Sequence, residues 1–375
     1  MPQLTFTRYV AALAVVAFHV ASFRLAHGVA WPRDPRMFTF VTQWPVAVTF
    51  FFVLSGFVLT LAYPALDTGA ARRTFWRARF ARIYPVYLLA LVLTVGLQAR
   101  DQSLSADAIA GQALLLQAFV PRWVGTLNYP GWSLSAEAFF YALYPWLVAW
   151  LASLRSLRTQ MLATVALWVV SQLAYMALLG LRADGRLSAT AEIFVRFNPL
   201  LYVSSFVWGM ATALLWRRTA GAIAARPWIG RFGGAATAVV AVAAIVAGLW
   251  ALPGLPQPAA LPLVTDHSAF APLFAVLIVA LASDRSWLSR MLAWRPLVTL
   301  GEASYAVYIL QVPAWLLFVW LVAPHLSNEP VSAFCLFAAL LTVSSVVVLY
   351  ALEKPARAFL RGARAPATNP ATLQT

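Results

Sequence analysis

The sequence predicts an all-α fold, a polytopic membrane helix bundle of about ten transmembrane helices, and three observations predict it. Hydrophobic residues make up 62% of the 375 positions and charged residues only 10%, with a mean hydropathy of +0.78. A soluble domain cannot hide that much apolar surface in its own core. Apolar runs of roughly 17 to 25 residues, enough to cross the hydrocarbon layer as helix, recur from end to end. These runs lack the alternation of barrel strands, so helix is the remaining way to satisfy the backbone in lipid.

The first span, residues 4–24, carries Arg8 inside it and has no basic segment before it. It reads as a retained helix rather than a cleaved signal peptide. The other spans are expected near 38–62, 82–98, 133–152, 161–181, 197–216, 232–252, 269–284, 303–322 and 331–350. Residues 104–120 are apolar but shorter and are expected as an amphipathic or re-entrant helix. Residues 252–260 with Pro262 contain four prolines, which predicts an extended, non-helical loop. No soluble block or internal repeat interrupts the series. The organisation is one membrane domain over residues 1–355, followed by a basic then polar tail over 356–375 that is expected to be disordered.

Lys and Arg set the sidedness. Of 27, 18 fall in the loops after the even-numbered spans and at the C-terminal end, 8 fall in the opposite loops, and Arg8 lies within a span. The excess predicts cytoplasmic N- and C-termini and an outward-facing segment from Trp123 to Trp132. It also accounts for the net charge of +15 without nucleic acid, because the basic residues are short clusters between apolar runs. The single cysteine, Cys335, excludes an intramolecular disulfide and a cysteine metal cluster. No metal-ligand cluster, Gly-x-Ser-x-Gly elbow or phosphate-binding glycine loop is present, so metalloenzyme, serine hydrolase and nucleotidase readings have no support.

Ionisable residues inside apolar spans are functional candidates by default. Arg8 and His19 are eleven residues apart, about three turns and 16 Å of rise, so they share one face of the first helix. That stripe puts a fixed cation below and a titratable imidazole in the outer half of the bilayer; the bland alternative is a snorkelling arginine and a satisfied core histidine. Glu137 follows Pro130 and Gly131 and is expected about one turn below the outer surface, at the depth of His19. There it would orient the imidazole as a general base, or else complement a helix dipole. Arg77, Arg79 and Arg82 alternate with aromatics at the mouth of the third span. They suit a phosphate-rich ligand, with positive-inside anchoring as the alternative. Ser55-Gly56 is a small pair in a bulky helix and predicts close helix packing.

Taken together these segments resemble the acyltransferase 3 family, integral-membrane acyltransferases that modify O-antigens, exopolysaccharides, Nod factors and lipids. The similarity covers nearly the whole chain. Arg8 and His19 match its Arg, ten residues, His signature. Phe51–Gly56, Arg79–Pro85 and Trp132–Tyr141 match further motifs in order, and Asn198–Gly209, Gly301–Tyr308 and Glu353-Lys354-Pro355 complete the series. The chain departs from the family at Gln311, where a His is common, and at Thr49, where an Asp is common.

The resemblance implies an O-acyltransferase of the bacterial inner membrane that moves an acyl group, expected to be acetyl, from cytoplasmic acyl-CoA to a hydroxyl of a glycan or lipid. His19, Glu137 and Arg8 are then the expected catalytic residues. Arg77, Arg79 and Arg82, with Arg8, would hold the CoA phosphates, and Tyr141, Ser55 and Trp132 would touch substrate. Trp31, Trp44, Trp123 and Tyr129 are candidates to stack on an acceptor sugar, or to form an interfacial belt. A transporter or flippase of lipid-linked sugars is the alternative class.

Overall fold

The computed structural model describes residues 1–26, 32, 34–100, 103–183, 185–224, 233–255, 267–325 and 330–361. Among these the chain forms sixteen α-helices and no strand. The first seven are α1 (Gln3–Ala26), α2 (Pro35–Thr42), α3 (Val46–Ala62), α4 (Gly69–Gln98), α5 (Ala106–Ala113), α6 (Pro121–Val124) and α7 (Trp132–Ser153). Then come α8 (Leu157–Ala183), α9 (Ala189–Phe197), α10 (Pro199–Ala224), α11 (Gly234–Ala251) and α12 (Ala271–Ser283). The series closes with α13 (Trp287–Leu292), α14 (Arg295–Leu321), α15 (Pro330–Val348) and α16 (Lys354–Arg361).

Among the described residues nine helical segments are long and apolar enough to cross a membrane, and they coincide with nine of the ten expected spans. The expected eighth span is a shorter apolar helix, Ser268–Ser283. Residues 104–120 break into α5 and a 3-10 turn, as their modest length predicts.

Two expectations need correction. Leu252–Gly254 is a 3-10 turn rather than extended chain, because proline is tolerated in the first turn of a helix, where its missing N–H costs no bond. The rest of that proline-rich loop, from residue 256, and Trp31 lie outside the described residues. The tail expected to begin at residue 356 is helical through Arg361. Glu353 is buried at the head of this helix and binds Arg357, and Arg77 Nη2 donates to the Arg361 carbonyl at its end.

Small residues set how closely the helices cross. A Cβ on Gly209 of α10 would lie 2.8 Å from Phe57 N of α3, and one on Gly56 of α3 would lie 3.1 Å from Met210 N of α10. The two glycines thus let these backbones touch, which is the close packing expected of Ser55-Gly56. Gly301 does the same between α14 and α1, where an added Cβ would lie 2.8 Å from Phe6 N. This contact fixes α1, with Arg8 and His19, against α14.

Proline supplies the other positioning device. Pro313 inside α14 has no N–H, so the carbonyl of Ile309, four residues before it, loses its helical partner. Asn128 Nδ2 donates to that carbonyl at 2.9 Å. Pro145 inside α7 likewise frees the Tyr141 carbonyl, which Trp76 Nε1 of α4 binds at 3.0 Å. Each freed acceptor ties its helix to another element, as membrane helices require of broken ladders.

Candidate active site

His19 lies on α1 against α14. Its Nδ1 is 2.7 Å from Gln311 Oε1, and its ring packs edge-on against Tyr129 at 4.8 Å and near Phe23 at 6.4 Å. The residue is 8% exposed, and Nε2 has no hydrogen-bond partner among the described residues. Gln311 Nε2 in turn donates to the Tyr308 carbonyl at 2.5 Å.

Glu137 is not the partner of His19, contrary to the sequence expectation. Ser55 Oγ donates to Glu137 Oε1 at 3.1 Å, Tyr141 OH donates to the same oxygen, and Ser55 Oγ and Tyr141 OH are 3.3 Å apart. Glu137 also lies within electrostatic reach of Arg8. The reason is the start of α7. Pro130 and Gly131 are buried, Tyr308 OH binds the Pro130 carbonyl and Ser133 Oγ, and Asn128 reaches α14. The start of α7 is therefore held against α14, and Glu137 faces Ser55, Tyr141 and the Arg8 end of the α1 stripe rather than His19.

Around that end the arginines divide their roles. Arg82 forms an ion pair with Glu353, which is 1% exposed, and Arg357 Nη1 lies 3.4 Å from the same carboxylate oxygen. Arg77 is exposed and donates to the Arg361 carbonyl. Of the four expected phosphate ligands, Arg79, like Arg8, has no hydrogen-bond acceptor among the described residues. Its guanidinium lies 5.5 Å from the Tyr63 ring and 5.9 Å from those of Phe75 and Tyr141, and its Nε is buried without a partner. Arg8 and Arg79 both act electrostatically on Arg357, and Arg8 on Arg82. The site read from the sequence as Arg77, Arg79, Arg82 and Arg8 is thus a cluster of Arg8, Arg79, Arg82 and Arg357, with Arg77 at its margin.

At the other end of the stripe a cavity of about 460 Å³ is lined by Phe23, Tyr129, Leu127 and Trp315, with Gln98 and Thr126 among its polar groups. Phe23 and Tyr129 both touch the His19 ring, so one layer of aromatic side chains separates cavity and imidazole. Trp132, expected to touch substrate, is not in this wall. It packs among Phe52, Phe197 and Tyr202 at 5.0 to 6.4 Å, joining α7 to α3, α9 and α10. Tyr129, expected on an outer loop, is drawn into the bundle.

Residues missed by sequence reasoning are Gln311, read only as the loss of an imidazole, and Arg357, while Glu353 was read only as part of the closing motif and not as the partner of Arg82 and Arg357. An acid at the end of the apolar run 331–352 was the available signal for that pairing.

A membrane protein with this stripe has many conceivable uses, but comparison with known families narrows them. The family described as "Acyltransferase domain", acyltransferase 3, matches residues 1–351. This chain belongs to the acyltransferase 3 family. Among curated relatives, "Acyltransferase MdmB" of Streptomyces mycarofaciens is 30% identical over 332 residues, covering 82% of this chain and 77% of that protein. "Protein 2 in picA locus" of Rhizobium radiobacter is 43% identical over 88 residues, covering 23% of this chain and 39% of that protein. "Putative peptidoglycan O-acetyltransferase YrhL" of Bacillus subtilis (strain 168) is 26% identical over 341 residues, covering 84% of this chain and 48% of that protein. No solved structure matches the chain. As an acyltransferase 3 protein it is a multi-pass membrane acyltransferase, and the motifs that carry the family resemblance are those that build the stripe, its cationic end and the glycine crossings.

Proposed function

We propose that this acyltransferase moves an acyl group, acetyl being the simplest, from cytoplasmic acyl-CoA to a hydroxyl of a glycan or lipid presented from the outer side of the bacterial inner membrane, with both termini cytoplasmic. The observation that carries the reading is the α1 stripe. Arg8 belongs to a cationic cluster, His19 lies three turns further along, and the cavity opens beyond it.

The CoA phosphates bind at the arginine cluster, with Arg79 as the principal contact, because its guanidinium has charge and donors to spare. Arg82 and Arg357 contribute charge while Glu353 fixes their geometry. The pantetheine arm runs along the stripe past Ser55, Glu137 and Tyr141. His19 Nε2 takes the proton of the acceptor hydroxyl as its oxygen attacks the thioester carbonyl. The C–S bond then breaks, the CoA thiolate takes that proton back from the imidazolium, and the products are the O-acyl ester and free CoA. Glu137, displaced from the imidazole, holds Ser55 and Tyr141 and balances the charge of Arg8.

Incubating purified protein with acetyl-labelled CoA and with glycans and lipids extracted from the producing membrane tests the reading. Label appearing in an alkali-labile ester supports it. Label remaining wholly on CoA, while an unmodified sugar lipid crosses the bilayer, would establish the transporter class instead.

A further inference from the structure

Among the described residues Gln311 is the one side chain that hydrogen-bonds His19, and its own surroundings fix which way its amide faces. The Tyr308 carbonyl can only accept, so the group 2.5 Å from it is the Gln311 NH₂. The amide oxygen therefore faces His19, 2.7 Å from Nδ1, and an amide oxygen can only accept. Nδ1 must carry the proton, and the lone pair of the neutral ring is on Nε2.

The frame holding Tyr308 is itself tied down. Its hydroxyl is 2.7 Å from Ser133 Oγ and 3.2 Å from the Pro130 carbonyl, and Asn128 holds the next residue's carbonyl. The same interactions bring Tyr129 onto the imidazole face. Gln311, Tyr308 and the Asn128–Ser133 turn thus form one unit that sets both the tautomer and the orientation of His19.

We propose that Gln311 is a positioning residue of acyl transfer, locking His19 in the Nδ1–H tautomer so that Nε2 serves as the base. The proposal rests on the role given to His19 above and deepens it. An amide neither gives nor takes a proton near neutral pH. The proton removed from the acceptor hydroxyl therefore stays on Nε2 until it is returned to the thiolate, and Nδ1–H never leaves. The pair is not a relay, and the part that a carboxylate plays in orienting catalytic histidines elsewhere falls here to a neutral amide.

The test is ¹⁵N NMR of histidine-labelled protein in nanodiscs at a pH where the ring is neutral, with His19→Asn identifying the signal. The expected wild-type spectrum has a protonated Nδ1 and an unprotonated Nε2. Gln311→Leu should lose this signature and lower kcat roughly 10- to 100-fold with the KM for acetyl-CoA unchanged, the scale of a misoriented reacting group. Gln311→Glu, which keeps an acceptor oxygen, should restore the signature and most of kcat. A wild-type His19 protonated on Nε2 overturns the proposal, as does a Gln311→Leu protein that keeps both signature and kcat. The NMR result needs no acyl donor, so the proposal and the acyl-transfer reading can fail separately.

Discussion

Glu353 of the closing motif and Arg82 of α4 form an ion pair across 271 positions of sequence, and the carboxylate is almost wholly removed from solvent. Its second oxygen has no hydrogen-bond partner among the described residues. The pair is therefore a poor source of net stability and a strict requirement for its two members to stay together. Glu353→Gln should cost about 3 to 5 kcal/mol, because it leaves the Arg82 guanidinium without its counter-charge, whereas Arg82→Gln should cost less, because Arg357 still faces the carboxylate. The double change Arg82→Met with Glu353→Met should recover most of that loss. Thermal unfolding in detergent measures both; equal losses in single and double variants would deny the pairing.

Arg79 and Arg77 should behave differently although two residues apart. Losing one charge-assisted bond to a donor phosphate costs about 1.5 kcal/mol, so Arg79→Gln should raise the KM for acetyl-CoA roughly tenfold. Arg77→Gln, exposed and occupied with the end of α16, should leave that KM within about twofold. Initial rates against acetyl-CoA concentration compare the two.

Asn128→Leu should strand the Ile309 carbonyl that Pro313 has freed. The cost is about 1 to 3 kcal/mol in stability for a buried unpaired acceptor. Transfer should also fall, because the turn carrying Tyr129 loses its anchor to α14. Replacing Pro313 with Ala in the same protein restores the helical donor, and stability should return while activity does not.

The cavity wall offers a fourth comparison. Thr126→Trp would fill space beside Tyr129, so it should suppress transfer to the acceptor while leaving the KM for acetyl-CoA unchanged. Mass spectrometry of surface glycans and lipids from cells carrying this variant should show loss of the acyl mark.

Much of this was legible in the sequence because it is local. Hydropathy located the nine helices that are long and apolar enough to cross a membrane among the described residues, helical periodicity pointed to one face for Arg8 and His19, and Ser55-Gly56 announced a close crossing. The partners were not legible, since they come from elements far apart in the chain. His19 meets Gln311 across 292 positions, and Ser55 meets Glu137 across 82. Glu137 was given the wrong partner because Ser55 and Tyr141 are brought to it by packing between helices. Asn128 binds the carbonyl that Pro313 frees and so ties residues 128–131 to α14, and neither local pattern nor composition encodes that pairing.

The central claim is that His19 is the base that transfers the acceptor's proton. Transfer of label from acetyl-CoA to the extracted acceptor, by His19→Ala protein matched to wild type in amount and in thermal stability, tests it most directly. The account predicts a loss of about 100-fold or more, the contribution of a positioned general base. Activity within a few-fold of wild type would contradict it.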